Sequence, residues 1–301
     1  MISPPAVTPP TPATATSRQL RWRIGVALLA VYLIWGSTYY GIVLAMKGIP
    51  PLLMAGSRHL TAGTLLFVVL WARGAALPDR RQWIHCVALG ILFQAMGNGL
   101  VVLATQRMDS SLAAVLVASM PLWAGLWSGL WGQWPRAREW VGLLLGLAGV
   151  AVLRLEPNTN ADGVGTAMVL VAAVAWAFGT VWSGKLNLPG GAMTAAVQMM
   201  AGGVVLLVGG TLHGEWAHVA PTSTAVAAWV YLTLAGNLGG YTAFVFLLRN
   251  TTRAVATSYA YVNPLVALAL GVGLGGESFT AHRAGGGALI LLGVVLMVLR
   301  R

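Results

Sequence analysis

The chain has 301 residues, of which 57% are hydrophobic and only 8% charged, with 38 glycines; a soluble domain could not cover its surface from so few polar groups, so the composition is that of an all-α polytopic membrane protein. The formal charge of +11 comes from Lys and Arg scattered between apolar runs, which leaves no basic face to follow a phosphate backbone and excludes nucleic acid as a partner. A single cysteine, Cys86, excludes an internal disulfide or a clustered thiolate site.

The first twelve residues, M-I-S-P-P-A-V-T-P-P-T-P, contain five prolines and no apolar core. Residues 1–21 therefore read as a disordered cytoplasmic tail. Arg18, Arg21 and Arg23 precede an apolar segment that runs on to Met46 without a small-residue cleavage site, so it is expected to be the first span rather than a signal peptide. Apolar runs of about twenty residues, enough to cross roughly 30 Å of hydrocarbon, follow one another near 24–46, 52–72, 84–105, 111–132, 139–155, 164–184, 192–212, 225–247, 254–274 and 284–299. Ten transmembrane helices are expected, joined by turns too short to hold a soluble domain.

Basic residues orient the spans. With the N-terminus in the cytoplasm, Arg18, Arg21, Arg23, Arg73, Arg80, Arg81, Arg136, Arg138, Lys185, Arg249, Arg253, Arg300 and Arg301 fall inside and only Lys47, Arg107, Arg154 and Arg283 outside. Both termini are expected to be cytoplasmic. A shift of 143 residues brings Pro121 onto Pro264 and Gly142 onto Gly285, and a shift of 141 brings Trp35 onto Trp176. Residues 22–157 and 158–301 then form two five-helix repeats. An odd number of spans inserts the second upside down, which is the inverted repeat associated with alternating access.

Polar residues recur inside the spans on shared faces. Span 9 carries Tyr259 and Asn263 four apart, with Ser258 and Tyr261 on an adjoining strip and Pro264 freeing a carbonyl that needs a partner. Gln94 and Asn98 in span 3 shift onto Asn237 and Tyr241 in span 8, where Thr233 lies one turn earlier. Span 1 adds Tyr32, Trp35 and Tyr39, and span 6 adds Trp176 and Thr180. Either these groups bridge helices separately, or Trp35, Tyr39, Gln94, Asn98, Trp176, Asn237, Tyr241, Tyr259 and Asn263 line one central substrate pocket. The second reading is the more economical.

Arg58 is the one basic residue well inside a span, where charge is costly and faces a bundle interior or water. It could attract a carboxylate, or it could snorkel or cap carbonyls. Its neighbour His59 is expected to point elsewhere. Pro121 and Pro264, at matching places in spans 4 and 9, are candidate hinges for gating. Trp123, Trp127 and Trp131 form a stripe in span 4 that reads as packing, and Gly142, Gly146 and Gly285 to Gly287 read as close helix contacts. All seven acids, Asp79, Asp109, Glu139, Glu156, Asp162, Glu215 and Glu277, lie at or beyond span ends. The cluster H-G-E-W-A-H, His213 to His218, lacks the spacing of a helical zinc site. No catalytic constellation, metal site or cofactor motif is found, so no enzyme activity and no cofactor are expected.

Four stretches carry a resemblance: Y-L-I-W-G-S-T-Y in span 1, P-x-x-x-A-x-x-R-x-x-x-A from Pro51 to Ala62, A-A-V-L-V-A-S-M-P ending at Pro121, and G-E-S-F-T-A-H-R-A-G-G-G-A-L-I-L-L-G-V from Gly276. In their order and spacing the chain resembles the ten-helix, EamA-type exporters of the drug/metabolite transporter superfamily, and within it the amino-acid exporters of the YddG type. The resemblance implies a bacterial-type inner-membrane exporter of small zwitterionic metabolites, aromatic or other neutral amino acids, working by alternating access. Its partners would be a small-molecule substrate and the lipid bilayer, with no protein partner. Another small metabolite such as a purine or sulfur compound, or a membrane protein of structural or receptor type, are the competing readings.

Overall fold

A computed structural model describes residues 13–108, 110–154, 162–275 and 281–298. Among them the regular structure is helical, with no strand. In lipid a helix satisfies its own backbone polar groups, and these sequences, rich in Leu, Ala, Met and Gly, supply the lengths needed. The elements are α1 (Ala13–Ala45), α2 (Pro51–Ala72), α3 (Arg80–Ala104), α4 (Ser110–Val117), α5 (Met120–Leu130), α6 (Ala137–Arg154), α7 (Gly163–Ser183), α8 (Met193–Leu212), α9 (Ser223–Asn250), α10 (Arg253–Thr257), α11 (Tyr259–Gly275) and α12 (Ala281–Val298).

Local chemistry starts the helices where the spans were expected. Pro51 opens α2 with its φ already helical. Asp79 and Gln82 form a reciprocal capping box on α3, with bonds of 2.8 and 3.0 Å. Asp162, Thr222 and Thr252 cap α7, α9 and α10. Glu215, which opens a short 3-10 turn at Glu215–His218, caps α2 from a distance in sequence, its carboxylate accepting the N–H groups of Leu52 and Leu53 at 3.2 and 2.9 Å. Asp109, Glu156 and Glu277 lie outside the described residues.

Three expectations change. The first helix begins at Ala13, so residues 13–21 are helical rather than part of an irregular tail; residues 1–12 lie outside the described residues. Six helices, Arg18–Ala45, Pro51–Ala72, Arg80–Ala104, Gly163–Ser183, Met193–Leu212 and Ser223–Asn250, are long and apolar enough to cross a membrane. The other four expected spans are occupied by α4 with α5, α6, α10 with α11, and α12. The chain breaks at Ala118–Ser119 and again at Ser258. Pro121 sits in the first turn of α5, just past the first break, whereas Pro264 lies inside continuous α11, six residues beyond the second.

The most extensive helix pairings are α2 with α8 and α6 with α12. Each joins equivalent segments of the two halves, and each uses glycine for close approach. A Cβ added at Gly203 would sit 2.9 Å from Leu60 Cα and 3.0 Å from Gly56 O, and one at Gly293 would sit 2.6 Å from Gly142 O and 2.9 Å from Gly146 N. The partner of Gly142 and Gly146 is thus Gly293; Gly285, expected at a close helix contact, has open space around its Cβ position. Between these pairs, α1 packs on α11 and α9, and α7 on α3 and α5, which leaves the centre of the bundle to the polar faces of those helices.

Candidate functional site

Two π-helical segments shape the centre. Residues Ile91–Gly99 of α3 and Leu232–Tyr241 of α9 are wound as π-helix, and the 143-residue shift lays one on the other with an offset of two residues or fewer at either end. Such wide turns commonly mark functional sites because they displace carbonyls from the regular ladder. Here Gly236 O accepts the indole Nε1–H of Trp35 at 2.9 Å. Gly240 lets the Trp35 ring lie against α9, since a Cβ there would come within 2.7 Å of Trp35 Cδ1. Gly97, which the same shift places on Gly240, does this for Trp176 on α3: a Cβ there would press on the six-membered ring of the indole. Each half thereby inserts a tryptophan into the π segment of the other.

A cavity of about 90 Å³ lies between them. All nine residues expected around a central pocket line it: Trp35 and Tyr39 from α1, Gln94 and Asn98 from α3, Trp176 from α7, Asn237 and Tyr241 from α9, Tyr259 and Asn263 from α11. Arg58 joins them from α2, only 2% exposed, and its Nη2 donates to Asn98 Oδ1 at 2.5 Å. It neither snorkels nor carries an acidic counter-ion in the lining. His59 also lines the cavity, contrary to expectation; its Nδ1 lies 2.6 Å from the Ala55 carbonyl, one turn back, which turns the ring along the helix toward the interior. Because a carbonyl only accepts, Nδ1 carries the proton in that bond. Several polar atoms of the lining are buried without a hydrogen-bond partner, among them Arg58 Nε, Trp176 Nε1, Asn237 Nδ2 and Asn263 Oδ1.

Other polar residues of the same spans serve packing. Tyr32 and Ser258 share a 2.6 Å hydrogen bond, the Tyr261 hydroxyl donates to Leu143 O at 3.3 Å, and Thr233 Oγ1 bonds back to Trp229 O at 2.7 Å. Thr180, Pro121 and Pro264 are outside the lining. The stripe of Trp127 and Trp131 packs on Phe178, with ring centroids 5.2 and 5.8 Å away, and Lys185 Nζ lies 5.1 Å from the Trp131 ring. These contacts belong to packing, as expected.

Sequence reasoning missed Phe93 and Phe244. Both are fully buried and extend the aromatic wall: Phe93 lies 5.1 Å from Trp176, and Phe244 lies 5.3 Å from Trp35 and 5.6 Å from Tyr259. Trp35 itself sits edge-on to Trp176 at 5.7 Å and to Tyr259 at 4.7 Å. The 143-residue shift places Phe93 on Gly236 and Phe244 on Val101, so no recurrence pointed to them. Gln198 was missed too; its Oε1 accepts the Tyr241 hydroxyl at 2.7 Å and fixes that ring.

At the end of the bundle where α1 finishes, a wider cleft of about 810 Å³ is lined by Lys47, Arg107, His213, Glu215 and His218 among others. Arg107 lies 3.2 Å from Asp162, and its guanidinium holds that carboxyl below the usual range. No group of three metal-ligating side chains occurs among the described residues.

The EamA-like transporter family matches the chain twice, over residues 22–155 and 163–299. The chain belongs to that family. It is therefore a membrane transporter of the drug/metabolite transporter superfamily. A relative in Escherichia coli K12, the uncharacterized inner membrane transporter YedA, is 42% identical over 274 residues, covering 91% of this chain and 90% of that one. An uncharacterized transporter of Archaeoglobus fulgidus is 25% identical over 89% of this chain and 95% of its own length. A solved protein structure shares the fold at a TM-score of 0.73, with 18% identity over 93% of this chain and 97% of its own.

Proposed function

We propose that this transporter exports small zwitterionic metabolites, neutral amino acids with apolar or aromatic side chains, by alternating access around the central cavity. The observation that carries the reading is the composition of that cavity. Arg58, buried and with no acid among the described residues of the lining, shares the cavity with the rings of Trp35, Trp176 and Tyr259. A buried cation attracts a carboxylate, the aromatic faces accept an apolar side chain and tolerate an ammonium, and Asn263 Oδ1 offers an acceptor. The twofold match of the family along the chain, with equivalent elements of the two halves meeting at the site, supports alternating access. The excess of Arg and Lys in the loops beside the start of α1 supports cytoplasmic termini and residence in a bacterial inner membrane.

Counterflow tests this directly. Purified protein in liposomes preloaded with unlabelled leucine or phenylalanine should take up the labelled amino acid transiently, and protein-free liposomes should not. A panel of neutral amino acids that gives no counterflow, while a purine or a sulfur metabolite does, would replace the substrate class and keep the mechanism.

A further inference from the structure

The unpartnered atoms of the cavity are unequal in kind. The guanidinium Nε of Arg58 and the indole Nε1 of Trp176 can only donate, and both are buried without an acceptor, as is Asn237 Nδ2. Against these stands Asn263 Oδ1. A buried donor left unpaired carries its full desolvation cost, so a site that keeps such donors is built for a ligand that supplies acceptors.

The symmetry of the fold supplies an internal control. Trp35 and Trp176 occupy equivalent places and are seated on equivalent glycines, Gly240 and Gly97. The Trp35 N–H is satisfied by the backbone of α9 at Gly236 O, 2.9 Å away. The Trp176 N–H has no such partner, although the equivalent carbonyl, that of Phe93, belongs to the π segment on which its ring packs. The missing acceptor at Trp176 is thus a difference between two otherwise matched seats. Arg58 adds the charge: among the described residues its hydrogen-bond partner is the neutral Asn98 Oδ1, which holds the guanidinium in place without neutralising it.

We infer that the cavity is a carboxylate receptor in which Arg58 and Trp176 bind the ligand's carboxylate, Asn98 positions Arg58, and the ligand's ammonium is dispensable. The inference rests on the transport reading above and extends it: organic acids with an apolar body and no amino group are also substrates. An ammonium gains less here, since it would meet neutral amide oxygens, hydroxyls and ring faces while being repelled by Arg58 across a medium that screens poorly. A carboxylate gains charge-assisted bonds to both donors.

Three matched probes decide it: leucine, 4-methylpentanoate, which lacks the ammonium, and 3-methylbutylamine, which lacks the carboxylate. Binding to the purified full chain in nanodiscs is measured by calorimetry. Leucine and 4-methylpentanoate should bind within a few-fold of each other, and the amine at least about tenfold more weakly, the loss expected when a charge-assisted bond is removed. Trp176→Phe keeps a ring and removes the N–H, and should weaken both carboxylates about tenfold while the weak amine binding stays put. The wild-type ranking stands even where that variant folds poorly. Equal binding of all three probes, preference for the amine, or binding of none overturns the inference. Counterflow of leucine in the same preparation separates the two readings: counterflow without the carboxylate ranking overturns only the receptor, and the ranking without counterflow overturns only leucine transport.

Discussion

Single residues decided the site by recurrence. Trp35 and Trp176, Gln94 and Asn237, and Asn98 and Tyr241 were legible because a polar or indole side chain reappears in the second half at an offset of 141 or 143 residues. Phe93 and Phe244 were not, because an apolar ring in an apolar span carries no contrast. His59 was misjudged for a related reason: helical spacing puts it about 100° from Arg58, but a cavity that α2 meets side-on touches both. The glycines of the π segments make the seat of each tryptophan testable at this scale. At Gly240 a Cβ would intrude on the rigid indole of Trp35, whereas at Gly239 the nearest heavy atom is Ile34 Cδ1 at an ordinary 3.5 Å. Gly240→Ala should therefore cost about 1–3 kcal/mol of stability, the range of core overpacking, and should depress counterflow by displacing Trp35 from Gly236 O. Gly239→Ala should do neither beyond a small change. Equal thermal transitions and equal transport in the two variants would show that the Trp35 seat is not tight.

At the scale of elements, helix starts were written in the sequence by Pro51, Asp79, Asp162 and Thr222, and the sequence placed them within a few residues. Breaks were not. A proline marks where a helix could be interrupted, yet Pro264 is carried inside α11 while the interruption falls at Ser258, where Tyr32 from α1 supplies a hydrogen bond. That bond depends on the tertiary neighbour, which no local pattern encodes. Glycine behaves likewise, since its role depends on what faces it. Gly293 meets the backbone of α6, which cannot give way, and Gly285 faces open space. Gly293→Ala should prise α12 from α6 and destabilise the protein by about 1–3 kcal/mol. Gly285→Ala should be neutral or stabilising by up to about 1 kcal/mol through helix propensity. Thermal unfolding in detergent, followed by the loss of monodisperse protein, reads both; a destabilisation by Gly285→Ala as large as that of Gly293→Ala would refute the assigned pairing.

For the whole molecule, the sequence carried the helical membrane class and the face of each central helix, since composition and periodicity survive without tertiary information. What it could not carry is how the halves are held at either end. Where α1 begins, the contacts between halves use no carboxylate among the described residues: Arg253 Nη1 donates to Gln133 Oε1 at 2.6 Å, Lys185 stacks over Trp131, Gln82 Nε2 donates to Asn187 Oδ1 at 3.4 Å, and the Asn187 carbonyl lies 2.9 Å from His85 Nδ1. At the other end the carboxylates of Asp162 and Glu215 bridge the halves. A carrier that opens one end at a time must break the first set in one state and the second in the other. Arg253→Ala removes a contact between halves remote from the cavity, so it should bias the protein toward opening where α1 begins. With Cys86, which is buried, replaced by alanine, a single cysteine at Leu186 reports that end and one at Ile49 the other. Arg253→Ala should raise maleimide labelling at position 186 and lower it at position 49, by several-fold if the contact is worth about 1–2 kcal/mol. Added leucine should shift both rates in opposite directions. Labelling that rises at both positions together would mean that the two ends open independently, as in a channel, and alternating access would have to be abandoned.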